Sequence, residues 1–111
     1  MAKRFGVEIV YNRLPQLSDE IADRVEAVVR KSGHMVEAYA KQVVPVDTGT
    51  LKNSIMTEFP DRFTTEIAPH TEYAIYVEYG TRSMAARPYM RPAAERVRPI
   101  FLQAMDKVAG R

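Results

Sequence analysis

The sequence predicts an α+β fold, a small antiparallel sheet of three to four strands packed with one long N-terminal helix and a C-terminal helix. Three features of the chain carry this reading. Apolar residues alternate near the N-terminus, then recur at spacings of three and four, and then fall into short runs separated by proline and glycine. At 111 residues the chain has the modal size of one domain, so residues 1–111 are expected to share a single core. An apolar share of 46% with 27% charged residues is a globular composition and excludes a disordered chain.

Between Arg4 and Asn12, the residues Phe5, Val7, Ile9 and Tyr11 stand at period two, the pattern of a strand with one buried face. After Pro15 the period changes. Leu17, Ile21, Val25, Val28, Ser32, Val36, Tyr39 and Val43 form one stripe of a long amphipathic helix, which Pro45 ends by pushing its predecessor out of the helical region. Glu20/Arg24, Glu26/Arg30 and Glu37/Lys41 are favourable i,i+4 pairs on its exposed face. Gly33 marks either a bend or a close approach by another backbone, and a gentle bend is expected. At ~1.5 Å per residue this helix would be roughly 42 Å long, more than a compact domain of this size covers, so a neighbour is expected to bury part of its stripe.

Residues 50–59 are expected to begin as a helical turn, with Asp47 or Thr48 as N-cap, and to pass into a strand from Ile55 to Phe59. Pro60-Asp61-Arg62 is a turn signal and Phe63 to Ala68 the returning strand. For residues 73–79 periodicity does not separate strand from short helix; a short helix ended by Gly80 in the αL region is expected. Residues 81–91 show no period and form a loop. From Pro92, the residues Ala93, Ala94, Val97, Phe101, Ala104, Met105 and Val108 trace a final helix, with Pro99 expected to kink it.

With no cysteine there is neither a disulfide framework nor a thiolate metal site, which fits a reducing compartment. The segment Met1-Ala2-Lys3-Arg4-Phe5 lacks the apolar region of a signal peptide, and no apolar run approaches the ~18 residues that span a bilayer. Synthesis in the cytoplasm and no membrane partner are expected. The net charge of +2 is small but unevenly placed. Residues 58–78 carry Glu58, Asp61, Glu66, Glu72 and Glu78 against Arg62, a net of minus four. Residues 81–98 carry Arg82, Arg87, Arg91, Arg96 and Arg98 against Glu95, a net of plus four. Such polarity suits head-to-tail contact between identical copies, although two solvated faces of a monomer would read the same way.

Asp47-Thr48-Gly49 behind apolar residues is also how aspartic proteases present their carboxylate, and a homodimer of such chains would share one proton between two aspartates. That fold is nearly all strand, whereas here a long helix runs into the triplet. Capping of the next turn by Asp47 and Thr48, with Gly49 allowing a tight turn, accounts for the same residues. His34 and His70 lack partner spacing for a metal, and Ser54 and Ser83 lack a nucleophile-elbow context, so no cofactor or metal is inferred. Tyr73, Tyr76 and Tyr79 with Arg82, Arg87 and Arg91 are of the residue types that stack on and neutralise a nucleic acid, but also of those enriched at protein interfaces. A non-specific nucleic-acid-binding module is the alternative function.

Three segments, in order, resemble one known family: Val44-Pro45-Val46-Asp47-Thr48-Gly49-Thr50-Leu51-Lys52-Asn53-Ser54-Ile55; the stretch from Tyr73 to Gly80 ending Val-Glu-Tyr-Gly-Thr; and Arg87-Pro88-Tyr89-Met90-Arg91-Pro92-Ala93. Together they are similar to the neck and tail-completion proteins, or minor tail components, of long-tailed bacteriophages. The resemblance implies a non-catalytic virion subunit, made in the host bacterial cytoplasm, that forms an oligomeric ring at the head-tail connection. Its partners would be further copies and other phage head, neck and tail proteins, with at most weak, non-specific DNA contact. It also implies that Asp47, Thr48, Gly49, Leu51 and Ser54 hold the turn between the long helix and the sheet. Glu78, Tyr79, Gly80, Arg82, Arg87, Pro88, Tyr89, Arg91 and Pro92 would reach neighbours. Met84-Ala85-Ala86 makes the connecting loop somewhat long for the family.

Overall fold

The computed structural model describes residues 5–11, 17–45 and 49–110. Its elements are β1 (Val7–Val10), α1 (Asp19–Val43), α2 (Gly49–Ser54), β2 (Met56–Asp61), β3 (Thr64–Ala68), α3 (Ala74–Tyr79) and α4 (Met90–Val108). Among the described residues the strands form one antiparallel sheet in the order β1-β3-β2, and α1 packs on one face of that sheet and along α4. The fold is α+β, as the periodicities predict.

Helix α1 starts where the Ser18 hydroxyl accepts the backbone N–H of Ile21 at 3.2 Å, with Asp19 and Glu20 in the first turn facing the positive end of the helix dipole. It ends at Val44, which Pro45 holds extended (φ −59°, ψ 139°). The three i,i+4 pairs form, at 2.9 Å for Arg24/Glu20 and 3.2 Å for both Arg30/Glu26 and Lys41/Glu37. The buried face is Ala22, Val25, Val29, Ser32, Gly33, Val36 and Ala40. Val25, Ser32 and Val36 lie on it as expected, but Ala22, Val29 and Ala40 take the places expected of Ile21, Val28 and Tyr39, which are half-buried, and Val43 is exposed. The displacement follows from packing against two partners at once. Ala22, Gly33 and Ala40 share the buried arc with Val25, Val29 and Val36, while the larger Ile21, Val28 and Tyr39 stand at its edge.

Gly33 lies inside the continuous α1, and β3 approaches it closely. A Cβ would stand 2.0 Å from Cγ2 of Thr65, a fully buried β3 residue whose hydroxyl donates to the Val29 carbonyl at 3.2 Å. The β2–β3 hairpin pairs Glu58 with Glu66 and Asp61 with Thr64, so β2 carries one extra residue between those pairs. Pro60 sits in this bulge, where its missing N–H breaks no ladder bond. Asp61 closes the turn by accepting from Phe63 N–H at 2.9 Å and Thr64 hydroxyl at 3.1 Å.

The core gathers where the C-terminal half of α1 meets α2, α3 and the start of α4. Val36, Ala40, Leu51, Ile67, Tyr89 and Val97 are among its members. Toward the opposite end, Tyr11, Leu17, Ile21, Phe101 and Met105 line an open apolar groove of about 490 Å³. Helix α4 begins at Met90, two residues before Pro92, so the irregular segment is shorter than expected. Pro92 falls in the first turn, where its missing N–H costs nothing, and α4 runs on through Pro99.

Candidate functional site

The segment that the sequence marks for contact is organised by Glu78. This residue is 3% exposed, and its carboxylate crosses the loop to the first turn of α4. Oε1 accepts the backbone N–H of Tyr89 at 3.0 Å and of Met90 at 2.9 Å, and Oε2 accepts that of Arg91 at 3.1 Å. The N-cap residue of α4, Tyr89, makes no side-chain cap bond of its own. A carboxylate from α3 therefore supplies the cap and places negative charge at the positive helix end. The Tyr89 hydroxyl donates to the Ala74 carbonyl at 2.9 Å, tying α4 to α3 a second time. Burial, then the neighbouring Glu78 and Tyr73, push this phenol well above its ordinary pKa.

Between these ties, residues 81–88 are all exposed. The Thr81 N–H donates to the Met84 carbonyl at 2.8 Å, and Arg87 N–H to the Val77 carbonyl at 2.8 Å. Gly80 has φ 78° and ψ 174°, a positive-φ region other than the expected αL, and a Cβ there would lie 2.7 Å from the Ala86 nitrogen. Arg82, Arg87 and Pro88 thus stand on a loop fixed at both ends. Tyr76 and Tyr79 project beside it, 55% and 64% exposed, with the Tyr79 ring edge-on to Phe5 at 5.9 Å. Arg91, in the first turn of α4, pairs with Glu95 at 3.1 Å, and Pro92 is half-buried.

The residues named for assembly contact therefore divide. Tyr79, Arg82, Arg87, Pro88 and Arg91 face outward, with Gly80 shaping the loop. Glu78 and Tyr89 point inward and are satisfied within the chain. Arg96 lies over the Tyr39 ring at 4.2 Å.

The acidic stretch is dispersed in the same way. Glu78 caps α4, Asp61 closes the hairpin, and Arg62 bonds Glu26 at 2.7 Å and also Asp23, clamping the hairpin tip to α1. The Arg62 hydrogen bond holds the Glu26 carboxyl below its ordinary value. What remains outward is Glu72, just ahead of α3, and the face of the sheet away from α1. There the register sets Glu8 opposite Glu66 and Glu66 opposite Glu58, a row of carboxylates across three strands. His70 approaches Glu58 at 3.4 Å. Nothing along the sequence marks Glu8 as part of a charged surface, because only the strand register brings it into line with Glu66 and Glu58.

Between α1 and α2, Asp47 and Thr48 lie outside the described residues, and with them the expected N-cap and the first two residues of the protease-like triplet. Gly49 opens α2, where among the described residues a Cβ would meet Asn53 at 3.8 Å, and the turn expected of it involves residues outside the described range. Leu51 is buried in the core, and the Ser54 hydroxyl donates to the Leu51 carbonyl at 2.8 Å, closing α2. Among the described residues no helix is long and apolar enough to cross a membrane.

No curated protein and no solved structure matches the chain. A family model does: residues 10–80, from the end of β1 to the glycine that closes α3, match the HK97-gp10-like family, described as "Bacteriophage HK97-gp10, putative tail-component". The match covers more than half of the 111 residues, and the chain belongs to this family of bacteriophage tail components.

Proposed function

We propose that this protein is a structural, non-catalytic subunit of the head-tail connection of a long-tailed phage. Copies assemble there as a ring around the DNA channel and take part in joining head to tail. The observation that supports this best is the braced, exposed loop at residues 81–88, which carries Arg82 and Arg87 and is held from within by Glu78. A loop ordered before contact loses little entropy on docking, and Pro88 reduces that loss further. The open apolar groove beside Leu17 and Ile21 adds a second surface, fitting the expectation that a neighbour covers part of the α1 stripe.

On this reading the protein is made in the host bacterial cytoplasm, resides in the virion and works with other head, neck and tail proteins. Its contact with passing DNA is weak and non-specific at most, since tight binding would slow genome exit. Deleting the gene from a phage that carries it is expected to leave heads and tails that accumulate separately in electron micrographs, with joining restored by the gene in trans. Normal virions from the deletion would remove the proposal. Duplex-DNA affinity that falls steeply with salt and is tight at physiological ionic strength would instead favour the nucleic-acid-binding alternative.

A further inference from the structure

We propose that the outer face of the sheet, with its row Glu8–Glu66–Glu58, is the seat for the arginine loop of a second copy of this chain. The row is an unusual choice for an antiparallel sheet. Residues directly opposite each other have side chains about 5 Å apart, and like charges in that position repel. Here two successive cross-strand pairs, Glu8/Glu66 and Glu58/Glu66, are both like-charged. Among the described residues no three acidic or histidine groups are placed to hold a metal ion, so the row is not arranged as a cation site. The neighbouring outward positions, Val10 and Met56, are apolar and 41% and 50% exposed. Glu58 has His70 beside it at 3.4 Å, but among the described residues Glu8 and Glu66 meet no cation, so this face combines exposed apolar surface with negative charge that a cationic protein surface would relieve.

The same chain displays the complement. Residues 81–88 project as a fixed loop with Arg82, Arg87 and an exposed Met84. Arginine presents a planar fork of donors that suits carboxylates, and Met84 offers apolar surface for Val10 and Met56. Loop and sheet face are different surfaces of one molecule, so their contact is heterologous and propagates from copy to copy, which is what a closed ring requires. The inference rests on the assembly reading above and names the two surfaces that meet.

The test uses the absence of native cysteine. Glu8→Cys in one preparation and Ser83→Cys in another, mixed and treated with a short bismaleimide, are expected to give a cross-linked dimer that neither preparation gives alone. In parallel, Glu8→Lys/Glu66→Lys and Arg82→Glu/Arg87→Glu, each checked for folding by circular dichroism, are expected to lose self-association separately and recover it when mixed. Wild-type association, followed by sedimentation up to about 1 mM so that even a millimolar Kd registers, should weaken as the Debye length shrinks from about 10 Å at 0.1 M salt to about 3 Å at 1 M. A wild-type protein that stays monomeric throughout overturns the self-assembly on which the inference rests. One that assembles while the cysteine pair fails to cross-link leaves the assembly standing and overturns this contact. Self-association that survives Glu8→Lys/Glu66→Lys assigns the face to a different cationic protein and overturns it as well.

Discussion

The junction of α3 with α4 and the outer face of the sheet both draw on the acidic stretch of residues 58–78, and they use its carboxylates in opposite ways. At the junction Glu78 is buried and accepts three backbone N–H groups. On the sheet Glu66 stands between two other glutamates. The first arrangement stabilises the folded chain, while the second detracts from it. A charge run read along the sequence thus contains both a structural cap and an outward-facing row of carboxylates, and burial separates the two.

The largest expected effect comes from emptying the junction. Glu78→Ala would strand three N–H groups at the start of α4, two of them on fully buried residues, and should lower stability by about 3 kcal/mol in urea denaturation. Glu78→Gln keeps one acceptor oxygen and should cost less than half as much. A loss from Glu78→Ala no larger than that of an ordinary surface change, about 0.5 kcal/mol, would break the contrast.

Gly33→Ala tests the inward side of the same sheet. Better helix propensity gives back about 1 kcal/mol, but the clash with Thr65 costs roughly 2–3, for a net loss of about 1–2 kcal/mol. Thr65→Ser in the same chain removes the offending methyl while keeping the hydroxyl bonded to Val29, so the double variant should recover most of the loss. Additive losses would sink the close-approach account.

A smaller, pH-dependent effect belongs to Glu37 at the margin of the sheet. Burial raises its pKa, but hydrogen bonds from the Thr57 hydroxyl at 2.7 Å and from Lys41 outweigh this and hold it below the ordinary 4.5. A folded-state pKa below the unfolded one means the contribution is complete above pH 4.5 and is lost as pH falls through the folded value. Thr57→Val should therefore cost about 0.5–1 kcal/mol at pH 7, discounted for partial solvent exposure, and progressively less below pH 4.5. A penalty constant across that range would rule the carboxylate out as the cause.

The smallest change should have the opposite sign. Glu66→Gln relieves both like-charge pairs and should stabilise the isolated chain by about 0.2–1 kcal/mol in low salt, with the gain shrinking as salt is added.

The helices and the hairpin were legible because their signals are local: spacing along α1, Pro45 at its end, and a turn between two apolar runs. The position of the buried stripe was less so, since large apolar residues mark a helix face while Ala22, Gly33 and Ala40 decide which arc of it meets two partners. At the loop, exposure of Arg82 and Arg87 followed from composition, but the role of Glu78 did not. Its partners lie 11 to 13 residues away across a loop, beyond the reach of local capping patterns. The carboxylate row was hidden for a related reason, because Glu8 and Glu66 become neighbours only when β1 and β3 pair.

The bracing of residues 81–88 also has a kinetic consequence. A recognition element that is already rigid meets its target as a solid body, so association is limited by orientation and runs at about 10⁵–10⁷ M⁻¹s⁻¹, faster where opposite charges steer the encounter. On the assembly proposed above, copies built this way would join without waiting for any part of themselves to fold, and the pace of building would be set by how many of them are present.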